Sequence, residues 1–193
     1  MSKRGNEELQ HLEETLRLMD EELRQQLELS LHIDKTSCFS GDCVSGCLSR
    51  VSNQLTIIEL FDRSYHDIIS LAFALKGCAC DRLRHINMCR ANMHDHMTDL
   101  APLVSPSLEW LELHICGLVD DDVTDLVSIL PAGHGLGGLV LLGNAFSPEA
   151  LLNLIRHLRD LPKLHTLRLG YRDSDADHVE QVVRQELHNV DYW

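Results

Sequence analysis

The sequence predicts an α/β fold in which one strand-loop-helix unit is repeated along the chain, with parallel strands on one side and helices on the other. Two periodicities predict it. In residues 108–122, "LEWLELHICGLVDDD", apolar side chains stand at Leu108, Leu111, Leu113, Cys116 and Leu118. These offsets fit neither a simple alternating strand nor a helical stripe, but they fit a short strand that turns sharply and keeps one edge in a core. The same frame returns as Leu136, Leu139, Leu141, Asn144, Phe146 and as Leu164, Leu167, Leu169, a step of 28 residues each time. Upstream it is carried by Leu83, Ile86, Met88, Ala91, Met93 and by Leu55, Ile58, Leu60, Arg63, Tyr65, with steps of 25 and 28 residues. The second periodicity lies between these strands, where apolar or small residues fall at i, i+3, i+4 and i+7, a helical stripe one face wide.

Taken in order, residues 7–23 carry Leu9, Leu12, Leu16, Met19 and Leu23, alternately three and four apart. A short coiled coil would use that stripe, but a coiled coil needs sustained heptads, so the helix of a preceding half-repeat is preferred. "LELSLHID" follows, a weaker sixth strand in which Leu27, Leu29 and Leu31 alternate in an ambiguous register. Helical stripes are then expected at Val44, Cys47, Leu48, Val51; at Ile68, Leu71, Ala72, Leu75; and at Met97, Leu100, Ala101, Val104. Val123, Leu126, Val127, Leu130 and Leu151, Leu154, Ile155, Leu158 continue the series, and Val179, Val182, Val183 repeat it with Glu186 in the last place. In "SPEALLNLI", Ser147 is placed to cap its helix and Pro148 is tolerated at the first helical position. Strands are expected near residues 57–60, 85–88, 110–113, 138–141 and 166–169. The domains read as an N-terminal helix over residues 1–23, a half-repeat or cap, and a repeat domain of about six units over 24–193.

Composition narrows the function classes. A net charge of −13 disfavours nucleic acid and anionic membrane surfaces and favours protein partners. No apolar run is long enough to span a membrane, and "MSKRGNEELQ" is no signal peptide. Seven cysteines without an export signal suggest reduced thiols in the cytoplasm. "CFSGDC", "CAC" and "HDH" invite a zinc reading. Against it, Cys43 and Cys47 sit one helical turn apart among apolar residues, while Cys78 and Cys80 precede the strand that His94 and His96 follow, so one site cannot take both pairs. No metal or cofactor is expected. "GHGLGG" at 133–138 lacks the Lys and Ser or Thr of a phosphate loop and reads as a return loop. Asp120 to Asp122 read as a solvated, dipole-favoured helix start. No nucleophile, base and orienter fall together, and the chain is expected to be no enzyme.

The frame LxxLxLxx(N/C)xL followed by a helix resembles the leucine-rich repeat, and "LELHICGLVDDDVTDLVSIL" resembles its ribonuclease-inhibitor-like type, which also occurs in cytosolic nucleotide-binding (NOD-like) innate-immune receptors. The resemblance covers residues 24–188, strongest over 108–170; the polar ladder position holds Cys116 and Asn144 there, but Arg63, Ala91 and Arg172 elsewhere. It implies a horseshoe-shaped solenoid with parallel inner strands and outer helices, and a protein-binding role. The residues between the inward leucines point to the concave face in three columns. These are Ile57, His85, Trp110, Gly138, Thr166; Glu59, Asn87, Glu112, Val140, Arg168; and Phe61, Cys89, His114, Leu142, Gly170. Ile57, Phe61, Trp110, Val140 and Leu142 are expected as exposed apolar groups of a contact surface, with Trp110 as anchor and Glu59, Glu112 and Arg168 setting charge. A partner protein or another domain of a receptor would cover them. A GTPase-activating repeat protein is the alternative, with Arg90 or Arg168 as its exposed arginine.

Overall fold

Apolar residues spaced two apart give each strand one buried edge, and the units place those edges side by side. In the computed structural model the described residues are 28–33, 52–64, 80–170, 176–187 and 190–192, with the single positions 11, 14, 15, 66, 68, 71, 72 and 75. The strands are β1 (Leu29–Ile33), β2 (Leu55–Phe61), β3 (His85–Cys89), β4 (Trp110–His114), β5 (Gly138–Leu141), β6 (Thr166–Leu169) and β7 (Asp191–Tyr192). They form one seven-stranded sheet in chain order, and every pairing is parallel. Among the described residues the first strand pairs only with the second and the last only with the sixth, so the sheet they form is open.

Register follows the repeat frame. Leu111 stands opposite Ile86 and Leu139, and Leu139 opposite Leu167. The inward pairs Ile58 and Leu60, Ile86 and Met88, Leu111 and Leu113, and Leu139 and Leu141 are at most 2% exposed. Full burial of such a side chain stabilises by about 1.5 to 3 kcal/mol. On this face lie helices α1 (Asp122–Ile129), α2 (Pro148–Leu158) and α3 (Ala176–Glu186). Their buried Val123, Leu126, Leu151, Leu154, Ile155, Leu158, Val179 and Val183 share one core with the strands. Ile68, Leu71, Ala72 and Leu75 are helical and buried as their stripe requires. The expected helix at Val44 to Val51 lies outside the described residues, as does most of the N-terminal helix; His11, Glu14 and Thr15 are helical. The Ser147 cap forms, its hydroxyl accepting from the Ala150 amide at 3.2 Å, with Pro148 following.

One expected element needs correction, one register is resolved and one strand is added. The segment from Met97 is a 3₁₀ turn, Met97–Leu100, rather than an α-helix. Pro102 has no amide to donate to the Thr98 carbonyl and would crowd it, and Ala101 bonds that carbonyl instead. Met97, Leu100 and Leu103 are buried at threefold spacing, which suits the shorter 3₁₀ turn and explains the 25-residue step from Leu83 to Leu108. The ambiguous first strand is settled by pairing: Leu31 stands opposite Ile58 and Ile33 opposite Leu60, leaving Ser30 and His32 on the open face. A seventh strand, too short to show in the pattern, sets Asp191 opposite Thr166.

Between coils, polar side chains replace the sheet. Asn144 Nδ2 donates to the Leu113 and Leu141 carbonyls at 2.7 and 2.9 Å, and its Oδ1 accepts the Cys116 and Leu118 amides at 2.9 and 3.2 Å. Cys116, on the same ladder position one coil earlier, points its thiol at the Met88 carbonyl, and burial pushes that thiol up to about 12. Past β2, β3, β4 and β5 the chain turns through a left-handed residue: Asp62 (φ 51°), Arg90 (φ 57°), Ile115 (φ 55°) and Gly143 (φ 73°). The amides of Asp62, Arg90 and Ile115 each donate at 2.9 Å to a carbonyl of the next coil, from Cys89, His114 and Leu142 respectively. Glycine adopts this conformation freely, whereas other residues are penalised by about 1 to 2 kcal/mol.

Candidate functional site

The face of the sheet away from the helices carries the three columns of outward residues, and strand pairing sets them in rows. Ile57, His85, Trp110, Gly138 and Thr166 stand opposite one another in sequence, as do Glu59, Asn87, Glu112, Val140 and Arg168. Phe61, Cys89 and His114 form the third row. Parallel pairing brings together side chains that are 25 to 28 residues apart in sequence.

Trp110 does not stand free. A Cβ on Gly138 would run into the Trp110 indole, so the ring lies across the bare backbone of the next strand. The His85 and His165 rings flank it, with centroids 6.4 and 6.1 Å away. Its Nε1–H donates to Glu112 Oε1 at 2.7 Å, and His85 Nε2 stands 3.4 Å from the same oxygen. These contacts hold the Glu112 carboxyl below its ordinary range, the His85 contact being the largest influence; burial opposes it, and the Trp110 N–H and the charge of Arg168 add to it. Arg168 belongs to the next strand but one, so the attraction spans Val140.

Val140 corrects the expectation of an exposed apolar position: it is 3% exposed. Its in-register neighbours are Glu112 and Arg168, long side chains on either side of a valine. Ile57, Phe61, Trp110, Glu112, His114 and Leu142 are half-buried, and Glu59 likewise, while Arg168 is exposed. His32, which sequence reasoning did not place, joins the face: its Nδ1–H donates to Glu59 at 2.9 Å, and its ring lies 5.1 Å from that of Phe61. Cys89 Sγ and His114 Nδ1 are 3.9 Å apart. The face therefore presents aromatic, imidazole and paired charged groups on rigid strands. The alternative arginine, Arg90, lies at the turn after β3, 3.9 Å from Asp62.

A second cluster joins the loops leading into the helices. Asp122, expected in solvent, is 1% exposed. It accepts from the Val119 and Asp95 amides, both at 2.8 Å, and from His94 Nδ1 at 3.0 Å. His94, Asp95 and Asp122 offer three donor atoms within 4.8 Å of one another. With both Asp122 oxygens already accepting N–H groups, the cluster works as a clamp between coils. Spacing could not reveal it, because Asp122 comes from the coil after His94. The glycine-rich segment at 133–138 also has a structural use. His134 is 7% exposed; its Nδ1 accepts the Leu136 amide at 3.1 Å, which leaves Nε2–H to donate to the Ser105 carbonyl at 2.9 Å.

Among the described residues Cys80 and Cys116 are buried and Cys89 is half-buried, and none of these three forms a disulfide. No helix among the described residues is long and apolar enough to cross a membrane. Compared with protein-family models and with curated proteins, the chain matches none.

Proposed function

We propose that this chain is a leucine-rich-repeat solenoid of the ribonuclease-inhibitor-like type and acts as a non-enzymatic protein-binding module through its open, concave face. The observation that carries the reading is the set of in-register rows across that face. They place Ile57, Phe61, Trp110 and Leu142 among Glu59, Glu112, His114 and Arg168 on rigid strands, with Val140 as floor. Aromatic groups held this way lose little entropy on contact and carry a disproportionate share of interface energy. The inter-coil role of Asn144 supports the family reading, since the repeat frame calls for a polar residue there.

In this reading the module is the ligand-sensing or autoinhibitory repeat region of a cytoplasmic innate-immune receptor, or a shortened relative of one, and its occupant is a protein. That Cys80, Cys89 and Cys116 form no disulfide fits a reducing compartment. The test is a pull-down from cytosol with the intact chain and with Trp110→Ala, each checked for folding by circular dichroism. Loss of Trp110 is expected to weaken capture by about 2 kcal/mol or more, the hot-spot threshold. Undiminished capture by a folded Trp110→Ala protein would remove the binding site from this face.

A further inference from the structure

The indole of Trp110 rests with one face on the sheet. A Cβ on Gly138 would stand 2.3 Å from its Cε3 and 2.5 Å from Cδ2 and from Cζ3, the carbons on either side. Only a position over the ring's face brings three consecutive carbons so nearly level, since an edge-on approach would leave the outer two clearly farther away. The opposite face of the half-buried ring therefore looks out over the open side of the sheet. His165 extends this platform: a Cβ on Gly137 would meet its Nε2 at 2.9 Å, and its ring centroid lies 6.1 Å from that of Trp110.

The carboxylate beside the platform is used on one side only. Trp110 Nε1–H donates to Glu112 Oε1 at 2.7 Å, and His85 Nε2 stands 3.4 Å from that same oxygen. Among the described residues no hydrogen bond or ion pair reaches Oε2. Glu112 is half-buried, and the His85 contact does most to hold its carboxyl below the ordinary range. An ionised carboxylate partly withdrawn from water, with one oxygen open, favours a charged donor. Because Oε1 already holds the indole N–H, a cation on Oε2 can lie over the outer face of the ring, within the roughly 6 Å reach of a cation–π contact. The flat ring also selects among cations. A guanidinium is planar, stacks on aromatic faces and presents parallel N–H donors, whereas an ammonium is compact and strongly hydrated. A basic partner also suits a chain of net charge −13.

We propose that Trp110 and Glu112 together receive an arginine side chain of the partner protein, its guanidinium stacked on the outer face of the indole and donating to Glu112 Oε2. The proposal rests on the open-face reading above and deepens it, naming the chemistry that the partner sets on Trp110.

The test uses labelled glycine-serine peptides with a central arginine, citrulline, lysine or glutamate. Fluorescence anisotropy gives affinity, and the NMR signal of the Trp110 indole N–H, assigned by its loss in Trp110→Phe, gives location. The arginine peptide should shift that signal and bind at least about tenfold more tightly than the citrulline peptide, which keeps the shape without the charge. It should also bind more tightly than the lysine peptide. Glu112→Gln keeps an acceptor for the indole N–H but removes the charge, and should erase the preference for arginine over citrulline with a melting midpoint near the parent's. Arg168, whose charge acts on Glu112 from across Val140, repels an incoming cation, so Arg168→Gln should tighten arginine binding by about twofold.

Equal binding of the arginine and citrulline peptides would overturn the proposal, as would an arginine preference that persists in folded Glu112→Gln. Equal affinity for lysine would remove the stacked guanidinium. Tighter binding of the glutamate peptide, lost in Arg168→Gln, would assign the face to an acidic partner instead. Should Glu112→Gln fail to fold, Trp110→Phe decides, since it keeps a ring over Gly138 without the N–H that holds Glu112; undiminished arginine affinity there defeats the proposal. If Trp110→Ala loses cytosolic capture while the chain shows no arginine preference, the open-face reading stands and the arginine assignment falls. If the preference holds and depends on Glu112 while capture survives Trp110→Ala, the guanidinium site stands and the main protein contact lies elsewhere.

Discussion

His94 and Asp122 show how much one residue pair can hold between coils. The Asp122 carboxylate is buried, and the hydrogen bond it accepts from His94 is the largest influence raising that imidazole above its ordinary 6.5; burial opposes the shift, and the charges of Asp95, Asp122 and Asp121 add to it. A group whose folded pKa is raised contributes stability that is fully present below its unfolded pKa and is lost as pH rises through the folded one. The stability lost on His94→Gln should therefore be greatest below about pH 6 and should shrink as pH rises above the ordinary histidine range. Urea denaturation of parent and variant across that interval measures it, and a difference independent of pH would show that only the neutral ring's hydrogen bond matters. Trp110 carries a related lesson at the same scale. Its placement depends on Gly138 having no side chain, so its row is set jointly by a large residue and an absent one.

At the scale of elements, β2 to β5 are each followed by a left-handed residue, and polar side chains tie the loops after β3, β4 and β5 to a neighbouring coil. Asn144 is the clearest case. One side chain satisfies two amides and two carbonyls. Asn144→Ala should cost about 2 to 3 kcal/mol or more, because an unpaired buried polar group costs about 1 to 3 kcal/mol. Asn144→Asp should recover only part of that loss, since it keeps the acceptor and removes the donor. Chemical denaturation decides this, and a loss below about 0.5 kcal/mol, typical of surface substitutions, would mean that water replaces the ladder. The Met97 segment makes the complementary point. Pro102 replaces an α-helix by a 3₁₀ turn without disturbing the in-register strands on either side.

Across the whole molecule, contacts run from each coil to its neighbours, with helix against helix and strand against strand. Stability in such an arrangement is close to a sum of local terms and nearest-neighbour terms. Leu139, fully buried between Leu111 and Leu167, should cost about 2 to 5 kcal/mol when changed to Ala. Leu167 is equally buried, but its outer neighbour is the two-residue β7, and Leu167→Ala should cost less. Denaturation of the two variants compares them directly; a greater loss at Leu167 would contradict additive stacking.

The division between sequence and tertiary structure follows from how far each force reaches. Sequence alone determined the α/β class, the strand positions, the inward leucines and the Ser147 cap, because the periodicity of burial and the geometry of a helix start are local. Pro102 was also visible in the sequence, and its consequence is local too, although the helical spacing of Met97 and Leu100 obscured it. Tertiary structure decided the rest. Pairing chose the register of Leu31 and Ile33 and so brought His32 to Glu59. It buried Val140 between Glu112 and Arg168, laid Trp110 across Gly138, and drew Asp122 out of solvent to meet His94 and the Asp95 amide. Each of these joins neighbouring coils, and whether an outward residue is covered depends on the length of the side chains beside it, which no single unit of sequence contains. The left-handed turn at Ile115 belongs here as well: isoleucine disfavours that conformation, and the inter-coil hydrogen bond from its amide to Leu142 holds it there.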